Sequence, residues 1–378
     1  MERIATGMPG QDIQFHNPLS RRTAMKGLAA FALAIIEAGC TSPNSSSTVT
    51  ATPTATPVRP GSIIYTYKGH SEQILTVAWS SDGKRIVSGS RDTTVQVWDA
   101  LTGKHAQVYR GHTNGVPAVA WSPDSKYVAS ASWDKTVQVW NASTAEPIFT
   151  YHGHSAQATS VTWSPDGKYI ASGSSDKSVQ IWNALTGAVL FTYHGHTAGV
   201  TVVAWSPDGS RIASGSTDKS VQIRDAASGK LLFSYHGHTD EITGITWSPD
   251  SKYIASGSVD KSVQTWDAST GKVLYTYRGY NVAQARSNPS KGVLPDLIYT
   301  VAWSHNGKRI AAVTQVYCGD DCGVLLSWDA LTEAHFTFYP TAPMYALAWS
   351  PDDRYFVTAV SPGGDVSGGM PVVQILQV

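Results

Sequence analysis

The feature that most constrains the fold of this chain is a repeat with a period of 42 residues. Tryptophan followed by serine returns at this spacing through the first five units, and the dipeptide glycine-histidine does the same. A fixed period of this length indicates one supersecondary unit copied along the chain, so it decides the architecture before any local assignment. The tryptophans are Trp79, Trp121, Trp163, Trp205, Trp247, Trp303 and Trp349, and the histidines are His70, His112, His154, His196 and His238.

Each unit reads as four short strands joined by tight turns. In the third unit, "TSVTW" and "KYIAS" alternate apolar with small or polar residues, and "SVQIW" is β-branched and aromatic. The segment "SPDG" between the first two is a turn in which Gly167 tolerates a positive φ, and "VLFTY" supplies a fourth strand. Seven such units predict an all-β, seven-bladed β-propeller with four-stranded blades.

The motifs "GH", "WSPDG", "SGSSD" and "VQIWN" resemble those of the WD-repeat β-propellers, and the resemblance covers residues 62–378. In that family the histidine, a serine on the second strand, an aspartate in the next turn and the tryptophan form one hydrogen-bonded network. The resemblance implies the sets His70–Ser88–Asp92–Trp98, His112–Ser130–Asp134–Trp140, His154–Ser172–Asp176–Trp182, His238–Ser256–Asp260–Trp266 and, without a tryptophan, His196–Ser214–Asp218.

The fourth unit departs from the family pattern at its third strand. Arg224 stands where the other units have tryptophan. A guanidinium can still donate hydrogen bonds. We therefore expect Arg224 to donate directly to Asp218 and to lose the aromatic packing that tryptophan provides.

Serine, histidine and aspartate are also the parts of a hydrolase triad, but their number here argues against catalysis. An enzyme places one such constellation in a cleft, whereas this chain carries nearly the same set five times. The groups also satisfy one another, since tryptophan donates, serine donates and accepts, and a histidine held by a carboxylate does both. We predict a structural role for these residues, with no catalytic residue, no cofactor and no enzymatic activity.

The two ends of the repeat region are complementary. The last unit has only three strands, "MYALAWS", "YFVTAV" and "VVQILQV", whereas the first unit is preceded by an extra strand, "SIIYTY", at 62–67. We predict that this N-terminal strand completes the last blade, which closes the ring and removes an open edge.

Residues 1–40 have the pattern of an export signal. "SRRTAMK" is basic, "GLAAFALAII" is a short apolar run and "EAGC" ends at Cys40. The pair Arg21–Arg22 resembles a bacterial twin-arginine signal, although Ala24 occupies a position where that signal usually has phenylalanine. "AGC" resembles a lipoprotein processing site, with Glu37 where an apolar residue is usual. Cys40 is therefore a candidate for lipid attachment, with simple cleavage and an uncleaved anchor as alternatives.

Residues 41–61 are almost entirely serine, threonine, proline, alanine and valine, which is the composition of a tether and not of a core. Together with the signal, they predict a propeller displayed outside the cytoplasmic membrane, at the cell surface or in the periplasm, and held to the membrane only through its N-terminus. The charges of the 28 basic and 28 acidic side chains cancel, so net charge gives no reason to expect a nucleic-acid partner. As a separate expectation, we predict a monomer.

Three connections in the last two units are longer than their counterparts, near 281–296, 315–323 and 361–370. Since strands alternate in direction, all three emerge on one end of the ring. They predict a binding face, although drift in atypical terminal repeats would also explain them. The same end carries the residue before each repeat aspartate, among them Arg91 and Trp133. The partner-binding candidates are Arg91, Trp133, Tyr280, Arg286, Lys291, Asp320 and Asp321.

These features favour a non-enzymatic interaction scaffold that binds a protein or peptide on one propeller face. The alternative is an extracytoplasmic enzyme or carbohydrate-binding module that uses the long connections, with Asp320, Asp321 and Asp365 as its unusual carboxylates. Cys318 and Cys322 in "CGDDC" predict a disulfide, because close cysteines in an exported protein more often bridge than stay free. Metal binding by these cysteines with Asp320 and Asp321 is the weaker reading, since no second metal motif accompanies them.

Overall fold

The computed structural model describes residues 59–278, 295–316, 322–332, 334, 337–341, 343–360 and 370–378. Its 28 strands form seven antiparallel four-stranded sheets, which are the blades of a β-propeller, so the predicted fold is confirmed. Across these described ranges, no helix is long and apolar enough to cross a membrane.

The first strand, β1 (Ile63–Tyr67), precedes blade 1, and the next sixteen strands form blades 1 to 4 in chain order. Blade 1 has β2 (Ile74–Trp79), β3 (Arg85–Ser90), β4 (Val95–Asp99) and β5 (Gln107–Tyr109); blade 2 has β6 (Ala118–Trp121), β7 (Tyr127–Ala131), β8 (Val137–Asn141) and β9 (Pro147–Tyr151); blade 3 has β10 (Ala158–Trp163), β11 (Tyr169–Ser174), β12 (Val179–Asn183) and β13 (Val189–Tyr193); blade 4 has β14 (Val200–Trp205), β15 (Arg211–Ser216), β16 (Val221–Asp225) and β17 (Leu231–Tyr235).

The remaining strands form blades 5 to 7. Blade 5 has β18 (Ile242–Trp247), β19 (Tyr253–Ser258), β20 (Val263–Asp267) and β21 (Val273–Tyr277); blade 6 has β22 (Pro295–Trp303), β23 (Arg309–Val316), β24 (Cys322–Asp329) and β25 (Thr337–Thr341); blade 7 has β26 (Met344–Trp349), β27 (Tyr355–Val360), β28 (Val372–Gln377) and β1.

The ring is closed by the N-terminal strand, as the sequence predicts. β1 pairs antiparallel with β28, and the register places Ile63 opposite Leu376 and Tyr67 opposite Val373. Because β1 covers the open edge of β28, blade 7 acquires the same four-stranded order as the others.

The apolar core lies in the seams between neighbouring blades. Its seven clusters draw on adjacent sheets, so that Val139 of blade 2, for example, shares a cluster with Ile170 and Trp182 of blade 3. The fully buried tryptophans are the largest side chains there, and truncating one such ring typically costs about 3–5 kcal/mol of stability. They are Trp98, Trp140, Trp182, Trp266 and Trp328.

A second set of tryptophans ties blades 2, 3, 5 and 7 each to the blade before it. The tryptophan that ends the first strand donates its indole N–H to a carbonyl in the first strand of the preceding blade. The bonds are Trp121 to Ala78, Trp163 to Ala120, Trp247 to Ala204 and Trp349 to Ala302, with lengths of 3.1–3.2 Å.

Candidate functional site

Two ends of the ring are defined by which turns they carry. The turns between second and third strands lie at one end, called here the network face, and comprise 91–94, 133–136, 175–178, 217–220 and 259–262. The turns between first and second strands lie at the other end, called the groove face, and comprise 80–84, 122–126, 164–168, 206–210 and 248–252.

Below the network face, each of blades 1 to 5 holds one hydrogen-bonded network. In blade 3, His154 Nδ1 lies 3.0 Å from Asp176 Oδ2, and His154 Nε2 lies 2.8 Å from Ser172 Oγ. Trp182 completes the set by donating its Nε1–H to Ser172 Oγ at 3.2 Å. Blades 2 and 5 repeat all three contacts, with His112, Asp134, Ser130 and Trp140, and with His238, Asp260, Ser256 and Trp266.

The carboxylate of each network is tied down on both oxygens. Asp176 Oδ2 also accepts the backbone N–H of Ser155 at 3.0 Å, and Oδ1 accepts from Ser178 through its backbone N–H and its hydroxyl. Burial alone would raise the pKa of Asp176, but the hydrogen bonds from His154 and Ser178 outweigh it and hold the pKa well below the usual range. Asp92, Asp134, Asp218 and Asp260 have pKa values lowered in the same direction.

This geometry does not serve nucleophilic catalysis. The Ser172 residue is 0% exposed and His154 is 5% exposed, so a substrate has no access to the hydroxyl. An ionised, fully bonded carboxylate beside a buried imidazole instead holds the turn between the second and third strands on the body of its blade.

The structure adds glutamine and tyrosine residues that the sequence reasoning missed. In blade 3, Gln180 donates to Gly153 O at 3.1 Å and accepts from the Tyr151 hydroxyl. Tyr151 belongs to the outer strand of blade 2, and its ring stacks on Trp182 with centroids 4.4 Å apart. Both residues recur with the 42-residue period, and this recurrence in the sequence could have identified them. The glutamines are Gln96, Gln138, Gln180, Gln222 and Gln264, and the tyrosines are Tyr67, Tyr109, Tyr151, Tyr193 and Tyr235.

In blade 1 the predicted tryptophan link is wrong. His70 contacts Asp92 at 2.8 Å and Ser88 at 2.7 Å, but Trp98 Nε1 is buried with no hydrogen-bond partner among the described residues. The Trp98 ring stacks on Tyr67 with centroids 3.8 Å apart, against 4.2–4.8 Å in blades 2, 3 and 5. This closer stack draws the indole toward β1, so ring packing replaces the link to Ser88.

In blade 4 the predicted hydrogen bond from Arg224 to Asp218 is wrong. Arg224 donates not to Asp218 but to Gln222 Oε1 at 3.0 Å and to Gly229 O at 3.2 Å. Its guanidinium lies over the Tyr193 ring, 4.9 Å from the centroid, so it keeps a contact with the aromatic ring. The Asp218 carboxylate is satisfied without Arg224, because both of its oxygens already accept hydrogen bonds.

The substitution leaves a buried group unpaired. Gln222 Oε1 accepts from Arg224, and the Tyr193 hydroxyl, which would otherwise use that acceptor, is buried with no hydrogen-bond partner in the part of the chain that the structure describes. Burial raises the pKa of Tyr193 to about 12, against the effect of the Arg224 charge. Burial also lowers the pKa of His196, although its hydrogen bond to Asp218 opposes that shift.

We expect Arg224→Trp to raise the free energy of unfolding by about 1–2 kcal/mol. The new indole donates to Ser214, and Gln222 becomes free to accept from Tyr193. Urea unfolding of the two proteins measures the difference. Trp182→Arg in blade 3 is the reciprocal control and should lower the stability. Equal or lower stability of Arg224→Trp would contradict the account of blade 4.

Of the predicted partner-binding residues, the structure describes Arg91 and Trp133, and it brings them together. Arg91 is exposed, and its guanidinium carbon lies 5.8 Å from the centre of the Trp133 ring. Trp133 is partly buried, because its ring rests on Gly115, where a Cβ atom would come within 2.7 Å of the ring. The two residues therefore form a fixed cation–π pair across blades 1 and 2 on the network face.

The same face presents a series of exposed cations. The residue after each network aspartate in blades 2 to 5 is a lysine with a positive φ of 69–76°, and its side chain is exposed. Lys219 also bridges to the next blade by donating to Thr239 O at 2.9 Å. The lysines are Lys135, Lys177, Lys219 and Lys261.

Several predicted residues fall outside the described part of the chain. They are Cys40, Tyr280, Arg286, Lys291, Cys318, Asp320, Asp321 and Asp365. Cys322 begins β24, but its side chain is also outside the described atoms. Lipid attachment, the disulfide and the metal site thus stay predictions, and within the described ranges no cluster of side chains is suited to hold a metal ion.

Two family models match the chain. The model described as the second β-propeller of echinoderm microtubule-associated protein matches residues 116–288, and the WD domain, G-beta repeat model matches residues 61–99. The described residues of both matches belong to the blades.

Curated relatives are similar over single segments. The chain is 47% identical over 38 residues to the vegetative incompatibility protein HET-E-1 of Podospora anserina, 54% identical over 37 residues to a Notchless protein homolog of Arabidopsis thaliana, and 41% identical over 56 residues to the transcriptional repressor rco-1 of Neurospora crassa. These segments are 10–15% of this chain and 3–9% of the relatives' own lengths. The repeat, the fold and the two family matches agree: the chain is a seven-bladed β-propeller, and parts of it are similar to WD-repeat propellers.

Proposed function

We propose that this propeller is a non-enzymatic scaffold that binds a protein or peptide on its network face, outside the cytoplasmic membrane. The observation that carries the proposal is the Arg91–Trp133 pair, a fixed aromatic and cationic contact on a face that also carries exposed lysines in blades 2 to 5. Tryptophan and arginine are the residue types most enriched at the energetic centres of protein interfaces.

The hydrogen-bonded networks below that face also support a binding role. Their serines and histidines are buried, and their carboxylates are saturated with hydrogen bonds, so they support the surface and offer no reactive group to it. A rigid, preorganised face binds a partner with little ordering cost.

Affinity capture tests the proposed face. The immobilised full chain should retain a partner that Trp133→Ala retains at least about tenfold less well, as expected for a central interface tryptophan. Leu185→Ser is the matched control, because this leucine is 60% exposed in a turn at the opposite end of the ring. A partner held equally by all three proteins would place binding elsewhere and refute the proposal.

We also propose that residues 1–40 direct export and that a lipid on Cys40, followed by the tether at 41–61, anchors the propeller to the outer face of the membrane. The sequence pattern supports this step. In bacterial cells, Cys40→Ser should move the protein from the membrane fraction to the soluble fraction, and continued membrane association of that variant would refute the lipid anchor.

A further inference from the structure

Grooves open at three seams between neighbouring blades on the groove face. They have volumes of about 340 Å³ between blades 7 and 1, 270 Å³ between blades 2 and 3, and 520 Å³ between blades 3 and 4. Each is lined by the Ser-Pro-Asp turn of one blade, the tyrosine that begins its second strand, and the tryptophan that ends the first strand of the next blade. The tyrosines are Tyr355, Tyr127 and Tyr169.

At the seam between blades 1 and 2, an arginine of the chain itself occupies the corresponding position. Arg85 begins the second strand of blade 1, where the three open seams have tyrosine. Its guanidinium lies over the Trp121 ring, 4.9 Å from the centroid, and donates to the backbone carbonyl of Ser125 in the next blade. A second nitrogen donates to Ser143 Oγ at 3.2 Å.

The seam between blades 4 and 5 repeats the arrangement. Arg211 lies over the Trp247 ring at 4.9 Å and donates to the carbonyl of Ser251. It also lies 3.9 Å from Asp208 Oδ2. Arg309 of blade 6 donates to Ser327 O at 3.3 Å and to Thr337 Oγ1 at 3.0 Å, both in its own blade. Two seams thus contain an arginine on the tryptophan ring, bonded to the turn of the following blade.

The groove between blades 3 and 4 has the corresponding tryptophan and turn aspartates but no arginine in its lining. Tyr169 takes the arginine position, and Asp166 and Asp208 line the groove with side chains 49% and 47% exposed. Trp205 donates its indole N–H to Gly209 O at 3.0 Å within its own turn, and not to the preceding blade. Trp205 is partly exposed, whereas the equivalent Trp163 is 7% exposed.

We propose that the groove between blades 3 and 4 binds an arginine side chain from a partner polypeptide. The guanidinium stacks on Trp205 and pairs with the carboxylates of Asp166 and Asp208, as the chain's own Arg211 stacks on Trp247 near Asp208. Arginine is preferred over lysine, because a planar, weakly hydrated guanidinium stacks on an indole and donates in several directions. This site lies at the opposite end of the ring from Arg91 and Trp133, and it does not depend on the proposed function.

The probe is N-acetyl-arginine methylamide, titrated into the ¹⁵N-labelled full chain. The reporter is the indole N–H resonance of Trp205, assigned by its loss in Trp205→Phe. We expect a saturable shift of this resonance in the millimolar range, as suits one side chain, and at least about fivefold weaker binding of the citrulline and lysine analogues. No shift with the arginine probe, or equal shifts with the neutral citrulline analogue, would overturn the proposal.

Tyr169→Arg is the decisive variant, because it places the chain's own arginine in the groove, as in blades 1 and 4. It should abolish the response, whereas Tyr127→Arg at the neighbouring seam should leave the Trp205 response unchanged. If Tyr169→Arg does not fold, the double variant Asp166→Asn, Asp208→Asn serves instead and should weaken binding at least about fivefold. An undiminished response in the folded variant overturns the proposal, and Trp133→Ala should have no effect on it.

Discussion

Removal of residues 62–68 should leave a protein that aggregates and shows no cooperative thermal transition. The deleted segment contains β1, which pairs with β28 along the edge of blade 7. It also contains Tyr67, which stacks on Trp98 and donates to Gln96 Oε1 at 2.9 Å. The deletion therefore exposes a strand edge in one blade and a buried tryptophan in the next. The packing of a fully buried aromatic ring such as Trp98 is typically worth about 3–5 kcal/mol, a large part of the 5–15 kcal/mol that typically stabilises a domain.

Circular dichroism melting and size-exclusion chromatography measure this effect. The matched control lacks residues 41–58 and keeps β1, so it should melt and elute as the full chain does. Tyr67→Ala should lie between the two, with a folded ring of reduced stability. Cooperative melting of the 62–68 deletion at an unchanged temperature would show that the ring closes without β1.

Acidification should destabilise the propeller by several kcal/mol between pH 5 and pH 2.5. Folding lowers the pKa of each network aspartate, so these groups add stability above the unfolded pKa of about 3.9 and lose it as the pH falls below that value. Each unit of lowering contributes about 1.4 kcal/mol, and five groups act together. Urea unfolding at a series of pH values measures the loss. The groups are Asp92, Asp134, Asp176, Asp218 and Asp260.

A single-site variant separates the networks from general acid effects. Asp176→Asn should be less stable at pH 7 by about 3 kcal/mol, because His154 and Ser155 lose a charged acceptor, and its further loss on acidification should be smaller. Glu72→Gln changes an exposed carboxyl on the same face and should follow the unaltered protein. If Asp176→Asn and the unaltered protein lose the same stability on acidification, the network carboxylates are not the cause.

The sequence was sufficient for the architecture because the repeat period, the turn motifs and the three-stranded last unit each constrain the backbone locally. It was insufficient where several side chains compete for one partner. Gln222 can accept a hydrogen bond from Tyr193 or from Arg224, and the three-dimensional structure was needed to show that Arg224 is the donor. Trp98 likewise stacks closely on Tyr67 and makes no hydrogen bond to Ser88.

The seam grooves were beyond sequence reasoning for a related reason. Trp163 and Trp205 occupy the same repeat position, yet one indole bonds to the preceding blade and the other to its own turn. The choice depends on side-chain packing across two sheets. The sequence shows that some blades have arginine and others tyrosine at the start of the second strand, but the role of the arginine became clear only from the guanidinium positions over Trp121 and Trp247.

Closure of the ring by β1 and β28 has a consequence for how the protein is made. These partners are more than three hundred residues apart in the chain, and among the described strands no other pairing spans so long a stretch of polypeptide. Contacts between such distant segments form late, because the intervening chain must first become compact. A growing polypeptide can assemble its earlier blades one after another on the ribosome. The ring can close only after synthesis has passed residue 372, and β1 stays unpaired until then.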